Sequence, residues 1–432
     1  MKLVAGLGLT GQSVLDYFHQ QGKECIAFDT REDFSVEKLS QSYPTLKIYT
    51  AELPSDIIEQ IDEVILSPGL ALKSSWLAPF KEKQIPIIGD IELFARVAKQ
   101  PIIAITGSNG KSTVTSLVAE ILTEAGYKVG MGGNIGLPAL DLLAEPYDVF
   151  VLELSSFQLE TTYSLKAKIA TVLNICEDHM DRYDSLAEYL QVKMTILSGA
   201  EQALLPIDLL GDRTEALSFG LDEPAHFHTK KKNGKLWLCK KNQLIIAIES
   251  MRLQGKHHFL NALAAMALTD SFKVSKQQYQ TVFERFKGLA HRTQSVLIQD
   301  GIEWVNDSKG TNVGATITAL SSLAKDKNII LIAGGVSKDA DFSELLSAVK
   351  SYCKQVVLFG QDANVIYQAL SKQYNKSKLS QVASLAEAVA KANSIAKHGD
   401  VVLFSPACAS FDQFANYIKR GEAFEKLVKT VS

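Results

Sequence analysis

Cysteine is scarce and scattered in this chain. Its five residues (Cys25, Cys176, Cys239, Cys353 and Cys408) show no C-x-x-C spacing, which excludes a disulfide framework and a zinc knot. A basic excess is missing too. Lysine and arginine number 45 against 48 acids, a formal charge of -3, so nothing gathers nucleic-acid phosphates. No apolar run reaches membrane-spanning length, and no membrane insertion is expected. The chain opens directly on the strand-like MKLVAG, without a signal-peptide pattern. Low-complexity segments and short repeats are also lacking. Together these absences predict a protein of a reducing, cytoplasmic compartment.

The remaining composition is that of an ordinary globular protein, with 46% hydrophobic and 22% charged residues. A chain of 432 residues is too long for one typical core, and roughly two to four domains are expected.

The stretch around which the rest is organised is PIIAITGSNGKSTVTSLVAEILTEA, residues 101–125. Pro101–Thr106 predicts a buried strand, and Lys111–Ala125 predicts a helix with Val114, Leu117, Val118, Ile121 and Leu122 on one face. Between them lies Gly107-Ser108-Asn109-Gly110-Lys111-Ser112. Such a loop turns backbone N–H groups around phosphate oxygens at a helix start, where the dipole already favours anions. Lys111 adds charge for the outer phosphates, and the Ser112 hydroxyl can ligate Mg²⁺. The loop departs from G-x-x-x-x-G-K-S/T because Ile105 holds the first glycine position. The pattern predicts binding of a nucleoside triphosphate.

Upstream, strand Lys2–Gly6 runs into GLGLTG, then a helix from about Gln12 to Gln21 and a strand Cys25–Phe28 ending at Asp29. Glycines followed by a strand-end acid predict a Rossmann-like half that holds a diphosphate or a ribose. A third strand, Val64–Leu66, ends in Ser67-Pro68-Gly69, and ligands sit at such carboxyl ends in open α/β sheets. A break follows near Gly89-Asp90. Beyond the phosphate loop, Tyr147–Leu154 delivers Glu153, and Ile169–Ile175 delivers Glu177-Asp178-His179-Met180-Asp181. Acids and a histidine beside a phosphate loop suggest a Mg²⁺ site, since hard cations take oxygen ligands. A helix over Ser185–Ser198 carries Lys193, which on spacing alone fits an exposed face. Residues 201–249 predict an antiparallel patch, with KKK at 230–232 as a solvated hairpin. Asn261 lies near the start of the helix His257–Thr269, and a second helix, Lys276–Lys287, follows. After the hinge-like GLAHR at 288–292, strands Glu303–Val305, Ile329–Ala333, Val356–Phe359 and Val401–Phe404 alternate with helices, as in a parallel sheet. Their carboxyl ends carry NDSK, GGVSK and SPACAS, a cationic and hydroxyl set suited to a small anion.

With these residues in place, the sequence resembles the Mur ligase family nearly end to end. The resemblance rests on GLGLTG at 6–11, TGSNGKST at 106–113, GGNIG at 132–136, LELSSFQLE at 152–160, NICEDHMDRY at 174–183, NALAA at 261–265, HR at 291–292, NDSKGTN at 306–312 and SPACASFDQF at 405–414. The shortened phosphate loop is that family's usual form. It implies an α/β chain of three domains: Rossmann-like over 1–90, P-loop ATPase-like over 91–290 and Rossmann-like over 291–432. It further implies an ATP-dependent amide ligase of peptidoglycan synthesis, working through an acyl phosphate on UDP-N-acetylmuramoyl-L-alanine and D-glutamate. The uridine substrate is expected at Leu9, Thr10, Asp29, Thr30, Arg31, Ser67 and Gly69, with Asn134 reaching it from the second domain. ATP is expected at Gly107, Ser108, Asn109, Gly110, Lys111, Ser112 and Thr113, with Asn261, Arg292 and Asp307, and Lys309 near its phosphates. Two Mg²⁺ ions are expected at Ser112, Glu153, His179 and Lys193, the lysine as a carbamate. D-glutamate is expected at Thr311, Lys338, Ser410, Phe411 and Tyr417. Other readings are a sister Mur ligase, a folylpolyglutamate synthase-like ligase, a nicotinamide oxidoreductase read from GLGLTG, and an ATP-driven binding switch.

Overall fold

Three α/β units follow one another along the chain in a computed structural model that describes residues 1–222, 224–324 and 326–431. The first sheet joins β1 (Lys2–Ala5), β2 (Cys25–Asp29), β3 (Lys47–Thr50), β4 (Glu63–Leu66) and β5 (Ile87–Ile88) in the order β3-β2-β1-β4-β5, all parallel. Two of these strands, β3 and β5, give no clear apolar run in the sequence and lie at the sheet's edges.

The second sheet is centred on β6 (Ile102–Thr106) and continues through β7 (Val129–Gly133), β8 (Val149–Glu153), β9 (Ile169–Val172), β10 (Gln202–Pro206), β11 (Leu217–Phe219), β12 (Phe227–Lys232), β13 (Lys235–Lys240) and β14 (Gln243–Ala247). Its order, β14-β13-β12-β11-β10-β9-β6-β8-β7, sets β6 between β8 and β9. The antiparallel patch expected over residues 201–249 is narrower than that: β10 and β11 extend the parallel sheet, and only β12, β13 and β14 pair antiparallel. Leu204, Leu205 and Phe219 are buried, so these short strands are held by covered faces rather than by a separate hairpin module.

The third sheet has β15 (Gln294–Gln299), β16 (Ile302–Asn306), β17 (Ile329–Gly334), β18 (Cys353–Phe359), β19 (Leu379–Gln381) and β20 (Val401–Phe404), in the order β15-β16-β20-β17-β18-β19. Only the β15–β16 hairpin is antiparallel. The carboxyl ends of β16, β20 and β17 therefore lie side by side.

Alternation along β6 explains how the units are joined. Ile103 and Ile105 enter one apolar cluster with the helix Lys111–Glu124, while Ile102 and Ala104 enter another that also contains Val4, Val14 and Ile65 of the first unit. First and second units thus share a core. The third unit has clusters of its own, one on each face of its sheet. Burying a large aliphatic side chain contributes about 1.5–3 kcal/mol, against about 1 kcal/mol net for a hydrogen bond. The third unit, which meets the second through polar contacts, is the one held more weakly. No helix among the described residues is long and apolar enough to cross a membrane.

Candidate active site

The phosphate loop leaves β6 and enters the helix Lys111–Glu124, whose N-cap, Gly110, supplies no side-chain cap. Its first-turn N–H groups are therefore directed at the loop's interior. Gly107 (φ +145°) and Gly110 (φ +83°) hold conformations that side chains disfavour, and a Cβ on Gly110 would stand 2.8 Å from Asn261 Oδ1. Lys111 Nζ donates to the carbonyls of Gly107 at 2.7 Å and Ser108 at 2.8 Å. Asn174, just past β9, clamps the loop: its Oδ1 accepts from Asn109 N and its Nδ2 donates to Asn109 O, both at 2.9 Å.

Flanking strands bring the acidic and basic groups to this loop. Glu153 ends β8, is 2% exposed and accepts from Asn134 Nδ2 at 2.9 Å through Oε1; its Oε2 has no hydrogen-bond partner. Burial pushes its carboxyl up, but Lys111 and other neighbours outweigh this and hold it below the ordinary range. Lys193 is 1% exposed, 3.3 Å from Thr106 Oγ1 and 4.7 Å from the Tyr189 ring centre. Burial above all, then the nearby Lys111 charge, lowers its amine well below the usual value. His179 is pushed down to about 4, chiefly by burial, so its imidazole is neutral at pH 7. The two donors Glu153 and His179 fall short of a conventional ligand set, and no group of three His, Cys, Asp or Glu suited to a metal occurs among the described residues. An orphaned carboxylate oxygen and a desolvated amine able to become an oxygen-donor carbamate nevertheless fit a hard cation, with the neutral imidazole beside them.

The third unit contributes across a polar seam. Arg292 Nη2 donates to Ser112 Oγ at 2.5 Å, and Lys338 Nζ pairs with Asp178 Oδ1 at 2.7 Å. Lys309 Nζ lies 4.0 Å from the Tyr417 ring centre, and burial with the Arg292 charge brings it down to about 7. Asp307 is inward: its carboxylate accepts from Ser405 Oγ at 2.7 Å and Thr293 N at 3.0 Å, and burial raises it to about 6.

Most of these groups border one cleft of about 800 Å³. Of the sequence-predicted residues, Gly69, Ser108, Asn109, Gly110, Lys111, Asn134, Glu153, His179, Lys193, Arg292, Lys309, Thr311, Lys338, Ser410, Phe411 and Tyr417 line it. Phe411 stands at the rim, 73% exposed, while Ser410 is buried. Gly107, Ser112, Thr113, Asn261 and Asp307 do not line the cleft. Leu9, Thr10, Asp29, Thr30, Arg31 and Ser67 gather separately at the carboxyl ends of β1, β2 and β4, where Asp29 accepts from Leu7 N at 2.9 Å and Arg31 Nε at 2.8 Å. Arg182 joins the two places, donating to Pro68 O at 3.3 Å with its guanidinium 3.8 Å from the Phe157 ring centre. A second open cleft, about 490 Å³ and lined by Lys99, Lys166 and Lys168, lies away from all these groups. Sequence reasoning missed Asn174, Arg182 and Asn312 as individuals, and read Asp178 only as one of the strand-end acids of a Mg²⁺ site, not as the partner of Lys338. Each stands inside or at the end of a quoted motif, but its partner lies far along the chain.

Comparisons with known proteins bear on the whole length. The models for the Mur ligase MurD-like N-terminal domain, the Mur ligase middle domain and the Mur ligase glutamate ligase domain match residues 1–89, 105–269 and 291–408. The UDP-N-acetylmuramoylalanine–D-glutamate ligase of Hydrogenovibrio crunogenus is 54% identical, over 99% of this chain and 98% of that protein. Its namesake from Pseudomonas aeruginosa is 42% identical, over 100% and 98%. The solved MurF ligase from Thermotoga maritima in complex with ADP superposes with a TM-score of 0.63 at 15% identity, covering 100% of this chain and 95% of that one; this likeness concerns the fold.

Proposed function

The chain belongs to the Mur ligase family of ATP-dependent ligases, and from that premise we propose that it joins the amine of D-glutamate to the carboxylate of UDP-N-acetylmuramoyl-L-alanine. One observation carries the reading: the phosphate loop, Glu153 and the third-unit cations border a single cleft; full-length relatives named for that activity, up to 54% identical, agree with it. Its substrates are small molecules, and a cytoplasmic location is part of the same reading.

A carboxylate does not condense with an amine at neutral pH, because oxide is a hopeless leaving group. Transfer of the γ-phosphoryl group of ATP to the substrate carboxylate gives an acyl phosphate and ADP. Attack by the amine then forms the C–N bond and expels phosphate. Lys111, Arg292 and Lys309 supply positive charge where the phosphoryl group passes, the usual electrostatic clamp in such transfers. Glu153, His179, Ser112 and a carbamylated Lys193 would hold Mg²⁺, two ions in this reading, which when bound neutralises charge on the phosphates. Asp29, Arg31 and the Ser67–Gly69 turn hold the uridine diphosphate end, with Asn134 between that site and Glu153. Thr311, Lys338, Ser410, Phe411 and Tyr417 border the amino-acid end, and Asn261 and Asp307 support the nucleotide side from behind. Closure of the third unit excludes water that would hydrolyse the intermediate.

Phosphate release should require both UDP-N-acetylmuramoyl-L-alanine and D-glutamate, with L-glutamate a poor replacement, because a site fitted to polar groups discriminates strongly when they are misplaced. Equal rates with L-glutamate or diaminopimelate in a panel of amino acids would refute the assignment.

A further inference from the structure

Between the second and third units runs a chain of polar contacts that leads from Lys338 back to the phosphate loop. Lys338 Nζ, 16% exposed, meets Asp178 Oδ1, 9% exposed, at 2.7 Å. The other oxygen of Asp178 accepts from Asn312 Nδ2 at 3.1 Å. Asn312 Oδ1 caps the helix Val313–Leu323 through Ala315 N at 2.8 Å and accepts from Asn109 Nδ2 of the phosphate loop at 3.3 Å. Among the described residues, Asp178 is thus the middle-unit carboxylate that touches both Lys338 and Asn312.

We propose that Asp178 is a positioning residue for the amino-acid site, holding the Lys338 ammonium in place for the carboxylate of the incoming amino acid only when the third unit is closed on the phosphate loop. The inference rests on the functional reading above. A lysine ammonium has three donors. One is taken by Asp178, and two remain for a ligand in the cleft that Lys338, Asp178 and Ser410 all border. Lysine has a long side chain with much rotamer freedom to lose, and a partner that anchors its tip removes that cost from the substrate's binding. The backbone is prepared for the same placement. Lys338 and Asp339 both take left-handed φ, +52° and +57°, and the pairing of Val336 with Ala409 lays this turn beside Ser410. Because, among the described residues, the third unit shares no apolar cluster with the second, such polar ties set the distance between the phosphate loop and the amino-acid cation.

The test is steady-state kinetics of the full-length chain and the nearly isosteric Asp178→Asn variant, varying each substrate in turn. The KM for D-glutamate should rise about tenfold or more, with kcat and the KM values for ATP and the uridine substrate changed by less than about threefold. In the double variant with Lys338→Met the effect should not exceed that of Lys338→Met alone, as for two groups acting through one contact. Asn312→Ser keeps a capping oxygen but loses the amide donor, and should raise the same KM by a smaller factor. A wild type that releases no phosphate with D-glutamate overturns the functional reading and this inference with it. An active wild type whose Asp178→Asn variant keeps its KM for D-glutamate, shifts all three KM values alike, or adds fully to Lys338→Met overturns the positioning role alone.

Discussion

At the scale of the residue, Lys193 shows how surroundings decide chemistry. The helix Leu186–Met194 turns Tyr189 and Lys193, four positions apart, to one buried side, and the amine is desolvated there beside Lys111. A neutral amine can attack CO₂: its lone pair forms the N–C bond, a proton leaves to water, and an oxygen-donor anion results. Carbamylation of Lys193 should make activity fall in CO₂-depleted buffer and return with bicarbonate. A carbamate carbon signal should appear in NMR with labelled bicarbonate and vanish in Lys193→Met; full activity without CO₂ would defeat the idea. Helical spacing alone pointed this lysine to an exposed face, and the structure corrects that: the side chain is buried against Tyr189 and Thr106. Glu153 was legible, because an apolar run ending in an acid beside a phosphate loop has few other meanings. The contact of Asp178 with Asn312 was not, since it spans 134 positions and leaves no local trace.

Among elements, the short helix Asp90–Ala95 that leads from the first unit into the second carries a buried acid at its start. Burial raises Asp90 from 3.8 to about 6, against hydrogen bonds from Ile91 and Gln158 that lower it, and its Oδ1 has no partner. An acid whose folded value is raised costs stability above that value and is relieved as pH falls through it. A shift of roughly two units amounts to about 3 kcal/mol. Asp90→Asn should therefore be more stable than wild type at pH 7, with the gap in denaturant midpoint closing as pH drops from about 6 to below 4; a gap independent of pH would contradict this. The same scale shows why some strands could be read and others not. Central parallel strands such as β6 and β17 are unbroken apolar runs. Edge strands such as β3, half-exposed, and β5, two residues long, offer too little pattern, and β10 and β11 gave no cue to which neighbours they would join.

For the whole molecule, alternation of strands and helices made three α/β units readable, while the way they meet was not. A shared apolar cluster ties the first two, and polar contacts tie the third. The first sheet, ordered β3-β2-β1-β4-β5, is one strand short of the six of a dinucleotide fold, and the next strand, β6, already belongs to another sheet. The N-terminal unit should accordingly bind uracil nucleotides and not NAD. Titration with NADH is expected to show no fluorescence enhancement that the uridine substrate displaces, and tight NADH binding would overturn the reading.

The clamp of Asn174 on Asn109 reaches 65 positions along the chain, and this has a bearing on synthesis. At about 5–20 residues per second, the loop GSNGKS waits several seconds for the side chain that shapes it, which β9 carries into place when it pairs with β6. A nascent or truncated chain lacking this segment has the glycines and the lysine but not the conformation that gathers phosphate. Nucleotide capture is thus a late-maturing property, acquired only when the middle sheet has closed around its central strand.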